Sequence, residues 1–231
     1  MKFEEAVRSE VVKFVENGIR NINELTAEEM VSEAAINPYL VKALGITDFN
    51  SLARFYVYQR IGRSLVTSFG MTVMEKMVET LGEGKRGEWW DIVVDGEKPL
   101  FISVKSGPRD MNKDQIVEFA RRARICKENN PKARPLIAMC YGKEPLGPIA
   151  STLRKEGLDP AEYTLTGREL YETLTSEKGY HKKLMEMIGD EALKALEGNK
   201  FVDIIEKKIG AISEEFRAKY GTVDELLSNI F

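Results

Sequence analysis

Residues 89–105 read WWDIVVDGEKPLFISVK, in which two apolar runs flank a turn-forming Asp-Gly pair. Short runs rich in valine, isoleucine and aromatic residues favour β-strands. An Asp-Gly pair between two such runs is typical of a β-hairpin. The sequence therefore predicts a hairpin with strands over 89–94 and 100–104 and with its turn at Asp95-Gly96.

Asp91 begins the first strand of this hairpin and Lys105 ends the second. We therefore expect their side chains at the same end of the sheet. Because side chains alternate along a strand, Ser103 and Lys105 share one face. A buried ammonium group without a partner is costly, and Asp91 is the obvious counter-ion for it.

Helical patterns surround the hairpin, and two further strands follow it. The stretch LIAMCYG (136–142) is apolar enough for a central strand, and YTLTG (163–167) is a possible short strand. We expect Gly18 to end the first helix and Ser68-Phe69-Gly70 to interrupt a long one. The predicted helices cover 3–17, 26–35, a short stretch after Asn37-Pro38, 51–65, 71–82, 113–129 and 201–220.

This order of elements predicts an α/β (α+β) protein, with a small central mixed β-sheet flanked by helices. We expect a single domain over 1–231, with an N-terminal helical part (1–50), a core (51–188) and C-terminal helices (189–231). The 43% hydrophobic content supports a core of this size. No apolar run is long enough to cross a bilayer, so no membrane partner is expected.

Composition argues against several kinds of site. The two cysteines, Cys126 and Cys140, form no CxxC motif, and we expect reduced core thiols in a cytoplasmic protein. His181 is the only histidine, which argues against a histidine-based triad or a zinc site. No glycine-rich loop has a strand–loop–helix setting, so no nucleotide cofactor is expected.

The charge is unevenly distributed along the chain. The formal net charge is −3, yet residues 105–134 carry nine basic and four acidic side chains. Such a local excess of positive charge can attract phosphate groups. A solvated charged helix is the alternative interpretation.

A second carboxylate, Glu118, follows Lys105 by thirteen positions on the predicted helix 113–129. A helix that packs back on its own strand can return its first turns to the strand end, where Asp91 lies. Two carboxylates and a backbone carbonyl, that of Val104, would form a hard-oxygen site suited to Mg²⁺. Such an ion polarises a phosphodiester, and an adjacent ammonium can stabilise the developing charge.

The spacing D-x11-S-x-K-x12-E resembles the active site of the PD-(D/E)XK nucleases. It is similar to the variant of type II restriction endonucleases in which the second acidic residue has migrated. The resemblance implies a restriction-endonuclease-like fold with Mg²⁺ as cofactor. It makes Asp91 and Glu118 metal ligands and Lys105 the catalytic lysine, with Ser103 in the vacated acidic position. Trp90 departs from the pattern, because a proline gives the family its name at that position.

Three further segments resemble type II restriction enzymes, and the resemblance covers about residues 37–188. TSFGMTVME is similar to the helix before the sheet, whose glutamate faces the metal site. Glu75 matches that glutamate, and Glu79 is the alternative. KSGPRDMNKDQ is similar to a loop of enzymes that read GGNCC-like sites. The segment GRELYETLTSEKGYHKKLMEMI resembles one with tryptophan at the position of Tyr171.

The resemblance implies that double-stranded DNA is the substrate and that a short, palindromic, GC-rich site is cleaved. A two-fold symmetric site predicts a homodimer. Helix 201–220 is a candidate dimer element, and packing on its own domain is the equal alternative. Two other functions remain open: a structure-specific or repair nuclease of the same fold, and a non-catalytic DNA-binding domain. The residues expected to bind DNA are Arg109, Asn112, Lys113, Asp114, Arg121, Arg122, Arg60 and Arg63.

Overall fold

The computed structural model describes residues 2–32, 36–74, 77, 84–85, 89–145 and 147–231. None of the helices in these ranges is long and apolar enough to span a bilayer. The strands are β1 (Gly84–Lys85), β2 (Ile92–Val94), β3 (Leu100–Lys105), β4 (Arg134–Met139) and β5 (Thr164–Thr166). The helices are α1 (Lys2–Glu24), α2 (Ala27–Ser32), α3 (Pro38–Ala43), α4 (Phe49–Phe69), α5 (Lys113–Asn129), α6 (Gly147–Lys155), α7 (Pro160–Tyr163), α8 (Arg168–Thr175), α9 (Tyr180–Ala195), α10 (Phe201–Lys219) and α11 (Val223–Ser228).

The described strands form one mixed sheet in the order β1-β2-β3-β4-β5. The pairs β1–β2 and β2–β3 are antiparallel, whereas β3–β4 and β4–β5 are parallel. The chain passes from β3 to β4 through α5, and a parallel pair requires a crossover of this kind. The predicted mixed sheet with flanking helices is confirmed.

The predicted hairpin consists of β2 and β3, with Ile92 opposite Ile102. Its connection spans residues 95–99, so it is longer than the predicted Asp-Gly turn. Pro99 accounts for the difference, because it has no N–H to donate to a ladder and β3 begins only after it. The carbonyl of Pro99 instead accepts a hydrogen bond from the N–H of Arg134, at 2.8 Å, next to the start of β4.

Helix α5 covers one face of the sheet. Its apolar positions Ile116, Phe119 and Ala123 are buried against Ile137 and Met139 of β4. Burial of this apolar stripe removes several large side chains from water, which is the main favourable contribution to packing. The position of α5 brings its first turns close to the sheet that carries the predicted site.

The chain divides into two compact units, one of residues 1–11 and 67–189 and the other of 12–66 and 190–231. The first unit contains the sheet. The second unit is helical, and its core is formed largely by α4 and by the buried face of α10, which includes Ile209, Ile212 and Phe216. Helix α10 therefore packs within its own unit, which was one of the two alternatives for residues 201–220.

Two helix boundaries differ from the predictions. Helix α1 continues past Gly18 to Glu24, so the prediction that Gly18 ends it is wrong. A Cβ at Gly18 would lie 2.9 Å from Leu65 Cδ2 and 3.3 Å from the Phe201 ring. This glycine therefore lets Leu65 and Phe201 pack closely against the middle of α1. The chain stays helical through the predicted interruption at Ser68-Phe69-Gly70. There α4 passes directly into a π-helical turn over Gly70–Met74.

Candidate active site

Asp91 joins the two hairpin strands at the end where Lys105 lies. Its Oδ2 accepts hydrogen bonds from the Val104 N–H at 2.7 Å and from the Ser103 hydroxyl at 3.3 Å. Asp91 directly precedes β2, and Ile92 pairs with Ile102, so the ladder register brings Asp91 beside this part of β3. The two donors fix the orientation of an exposed carboxylate, as expected for a ligand held at a strand end.

Lys105 is the last residue of β3 and is partly exposed. Its carbonyl accepts a hydrogen bond from the N–H of Cys140 at 3.0 Å, which ties the strand end to the segment after β4. Among the described residues no ion pair joins Lys105 to Asp91, so the expected counter-ion contact is not formed. The expectation assumed a buried ammonium, and partial exposure to water removes that requirement.

The loop after Lys105 is folded by its own hydrogen bonds. Asp110 Oδ2 accepts from the N–H of Ser106 at 3.1 Å, and the N–H of Asp110 donates to the Gly107 carbonyl at 3.1 Å. A Cβ at Gly107 would overlap the ring of Tyr141, so only glycine allows this ring to cover the loop backbone. The ring is 60% exposed. No sequence pattern singled out Tyr141 as part of the site.

Helix α5 begins with a capping box. The Asn112 side chain accepts from the N–H of Gln115 at 2.9 Å, and the Gln115 side chain accepts from the N–H of Asn112 at 3.0 Å. The side-chain oxygen of Asn112, a residue expected to contact DNA, thus caps the helix. Arg109, Lys113 and Asp114 are exposed beside it.

Glu118 lies on the second turn of α5 and is held by two arginines. Arg121 donates from Nε and Nη2 at 2.9 and 2.8 Å, and Arg122 donates from Nε at 2.7 Å. These hydrogen bonds, first from Arg121 and then from Arg122, lower the pKa of Glu118 to about 2. The carboxylate is therefore fully ionised at neutral pH, which a metal ligand requires.

The second and third turns of α5 contact the chain just before Asp91. Nη1 of Arg122 donates to the carbonyl of Trp89 at 3.4 Å, and its guanidinium lies 4.8 Å from the centre of the Trp89 ring. The Trp90 ring packs edge-on against Phe101 and Phe119, with centroid distances of 5.9 and 5.8 Å. Trp90 thus fills the gap between hairpin and helix, which gives a packing role to the residue that departs from the expected proline.

Tyr171, the residue that stands in place of tryptophan, is buried on α8. It forms a hydrogen bond with the thiol of Cys140, next to β4. Burial raises the pKa of Cys140 to about 12 and also raises the pKa of Tyr171. Cys140 is a free cysteine in the core, whereas Cys126 is free but only partly buried, so the expected core position holds for Cys140 alone.

The arginines proposed on α4 belong to the helical unit. Arg60 and Arg63 are exposed there. Their neighbour Arg54 forms a two-pronged ion pair with Glu206, both distances being 2.6 Å. Arg54 thus pairs with a carboxylate of its own unit.

Only some of the predicted metal ligands lie among the described residues. Asp91 and Glu118 are described, whereas Glu75 and its alternative Glu79 lie outside the described residues. Within the described ranges no group of three or more acidic, histidine or cysteine side chains could hold a metal ion. Mg²⁺ is commonly bound by one or two carboxylates and several waters, so the chemistry of Asp91 and Glu118 fits this ion.

Comparison with known proteins identifies the family of the chain. A search of curated proteins finds no match. The model of one family, described as type II restriction endonuclease EcoO109I, matches residues 1–196. This match covers most of the chain, including both hairpin strands and α5. The chain belongs to the EcoO109I family of type II restriction endonucleases, which are DNA-cleaving enzymes.

Proposed function

We propose that the chain is a Mg²⁺-dependent endonuclease that hydrolyses both strands of DNA at a short, palindromic, GC-rich site. The observation that carries this proposal is the Asp91 carboxylate, which is bonded to Ser103 and Val104 directly beside Lys105. It brings an acid, a hydroxyl and an ammonium to one strand end, in the pattern of a PD-(D/E)XK nuclease.

Each residue has a defined role in this proposal. Asp91 and Glu118 hold the metal, with the Val104 carbonyl and Glu75 as further ligands. Mg²⁺ bound there would polarise the phosphodiester and lower the pKa of a bound water. Lys105 orients the attacking water and stabilises the charge that develops on the phosphate. Ser103 orients Asp91 in place of a second carboxylate.

DNA binding in this proposal uses the basic stretch that follows Lys105. Exposed arginine and lysine side chains can pair with guanine in the major groove or with phosphates. A two-fold symmetric site requires two copies of the chain, one for each strand. A cytoplasmic location completes the proposal. The residues proposed to contact DNA are Arg109, Asn112, Lys113, Asp114, Arg121, Arg122, Arg60 and Arg63.

Digestion of a sequenced plasmid by the purified chain tests the proposal. Discrete fragments with 5′-phosphate ends are expected in Mg²⁺, and none in EDTA. A smear, or cleavage only of branched DNA, would instead indicate a structure-specific or repair nuclease. Binding to DNA without cleavage in any divalent cation would indicate a non-catalytic DNA-binding domain.

A further inference from the structure

Arg122 connects helix α5 to the chain just before Asp91. It donates to Glu118 Oε1 at 2.7 Å and to the Trp89 carbonyl at 3.4 Å, and it lies over the Trp89 ring. Trp89 precedes Asp91 by two residues. One guanidinium therefore bridges the segment that carries the first proposed metal ligand and the helix that carries the second.

Arg121 provides an internal comparison. It pairs with the same carboxylate through two hydrogen bonds, but its side chain is 58% exposed, against 32% for Arg122. Among the described residues Arg121 forms no hydrogen bond, ion pair or cation–π contact with Trp89 or Asp91. An exposed ion pair between neighbours on one helix contributes little by itself. Of the two arginines, Arg122 is thus the one that bonds to the segment just before Asp91.

We propose that Arg122 is a positioning residue, which holds Glu118 toward Asp91 so that both carboxylates can bind one divalent ion. This inference rests on the proposed function, because it takes both acids as metal ligands. A planar guanidinium donates in several fixed directions and stacks on an aromatic ring, so it can hold a carboxylate, a carbonyl and an indole together. A lysine ammonium cannot make this combination of contacts.

The exposed indole of Trp89 supports the same assignment. The Trp89 side chain is 58% exposed, which is unusual for so large an apolar ring. Stacking under a guanidinium within about 6 Å of the ring is a favourable use of such an indole. In this assignment Trp89 acts through Arg122, whose guanidinium it contacts.

Binding of Mn²⁺, measured by electron paramagnetic resonance without DNA, tests the inference. Mn²⁺ favours the same oxygen ligands as Mg²⁺. Arg121→Ala and Arg122→Ala each remove one positive charge beside Glu118, and this change by itself favours cation binding. The difference between the two variants therefore isolates the positioning effect.

We expect Arg122→Ala to raise the Kd for Mn²⁺ by roughly 10-fold or more, as when a partner that orients a metal ligand is lost. Arg121→Ala should leave the Kd unchanged or lower it. Arg122→Lys should bind as weakly as Arg122→Ala. Trp89→Leu, which keeps the guanidinium and lies at an exposed position, should also raise the Kd and serves if Arg122→Ala does not fold.

Equal Mn²⁺ affinities for Arg121→Ala and Arg122→Ala would overturn the positioning role. If the wild-type chain cleaves DNA in Mg²⁺ while that equality holds, the proposed function stands without this inference. If the wild-type chain neither binds Mn²⁺ nor cleaves DNA in Mg²⁺, the proposed function fails and the inference fails with it.

Discussion

Ser103 gives Asp91 a hydrogen-bond donor at the position where the nuclease pattern has a second carboxylate. Its hydroxyl donates to Asp91 Oδ2, and the Val104 N–H donates to the same oxygen. An ionised carboxylate at 103 has no proton to donate and would repel Asp91. The serine therefore orients one acid, and the proposed second ligand is supplied by Glu118 on α5.

The proposed role of Lys105 predicts that its replacement reduces DNA cleavage without weakening DNA binding. Lys105→Ala should lower the cleavage rate by about 10²–10³-fold, the usual contribution of one preorganised charge. DNA binding should persist, since only one of many basic side chains is lost. Plasmid digestion and gel shift measure the two effects. Lys98→Ala, at an exposed position in the hairpin connection, is the matched control. Full activity of Lys105→Ala would refute the assignment.

Glu118 predicts a pH dependence at the acid end. Its pKa in the folded chain is about 2, below the ordinary value of 4.5, because Arg121 and Arg122 donate to it. A carboxyl group whose pKa falls on folding stabilises the fold above pH 4.5, and this contribution is lost as the pH falls toward 2.

The Tm difference between the wild-type chain and Glu118→Gln should therefore be constant near neutral pH. It should narrow as the pH falls from 4.5 toward 2. Thermal denaturation followed by circular dichroism over this range measures it. A difference that narrows already near neutral pH would contradict the lowered pKa.

One part of the candidate site, the meeting of the two hairpin strand ends, was predictable, because strand alternation and hairpin register are local. The placement of Asp91 beside Ser103 follows from the short span between them. The Arg122–Trp89 contact and the Tyr141 ring over Gly107 were not predictable. Both depend on how α5 and the end of β4 approach the hairpin, which no local pattern encodes.

At the scale of elements, the junction of β5 and α8 depends on Gly167. Its φ is 48° and its N–H donates to the Met139 carbonyl at 2.9 Å. A Cβ there would overlap the carbonyl oxygen of Gly142, a backbone atom that cannot move away easily. Gly167→Ala should therefore destabilise the fold by more than about 2 kcal/mol, beyond the cost of a positive φ alone.

Urea denaturation measures this loss, with Gly157→Ala as control. Gly157 also has a positive φ, +73°, but a Cβ there would meet nothing within 4 Å. Its replacement should cost only about 1–2 kcal/mol, the strain of a left-handed residue. Equal losses in the free energy of unfolding for Gly167→Ala and Gly157→Ala would show that overlap with the Gly142 carbonyl adds nothing to the cost.

Elements with strong periodicity were predicted well. The prediction of a helix over 113–129 coincides with α5, and β4 overlaps the predicted central strand. The error at Gly18 has a tertiary cause, because the helix continues where a small residue is needed for packing against Leu65 and Phe201. A glycine that ends a helix and a glycine that allows close packing within a helix cannot be distinguished from a single sequence.

At the scale of the whole molecule, the helical unit has a core of its own. Its buried side chains come from α4, α10 and shorter helices, and an ion pair between Lys42 and Asp224, at 2.6 Å, lies at its surface. The predicted single nuclease domain over 1–231 stays a prediction, because each unit is compact by itself. The EcoO109I family model covers residues 1–196 and so ends before α10.

The role of α10 can be decided by comparing its two faces. Phe216 is fully buried in the core of the helical unit, whereas Val202 is 44% exposed. Phe216→Ala should destabilise the fold by about 3–5 kcal/mol, since a large buried ring leaves a cavity.

Val202→Asp should leave both stability and self-association nearly unchanged if the helix serves only its own core. Thermal denaturation and sedimentation velocity with palindromic DNA measure the two properties. Loss of the dimer in Val202→Asp, with the Tm unchanged, would instead assign the exposed face of α10 to the dimer.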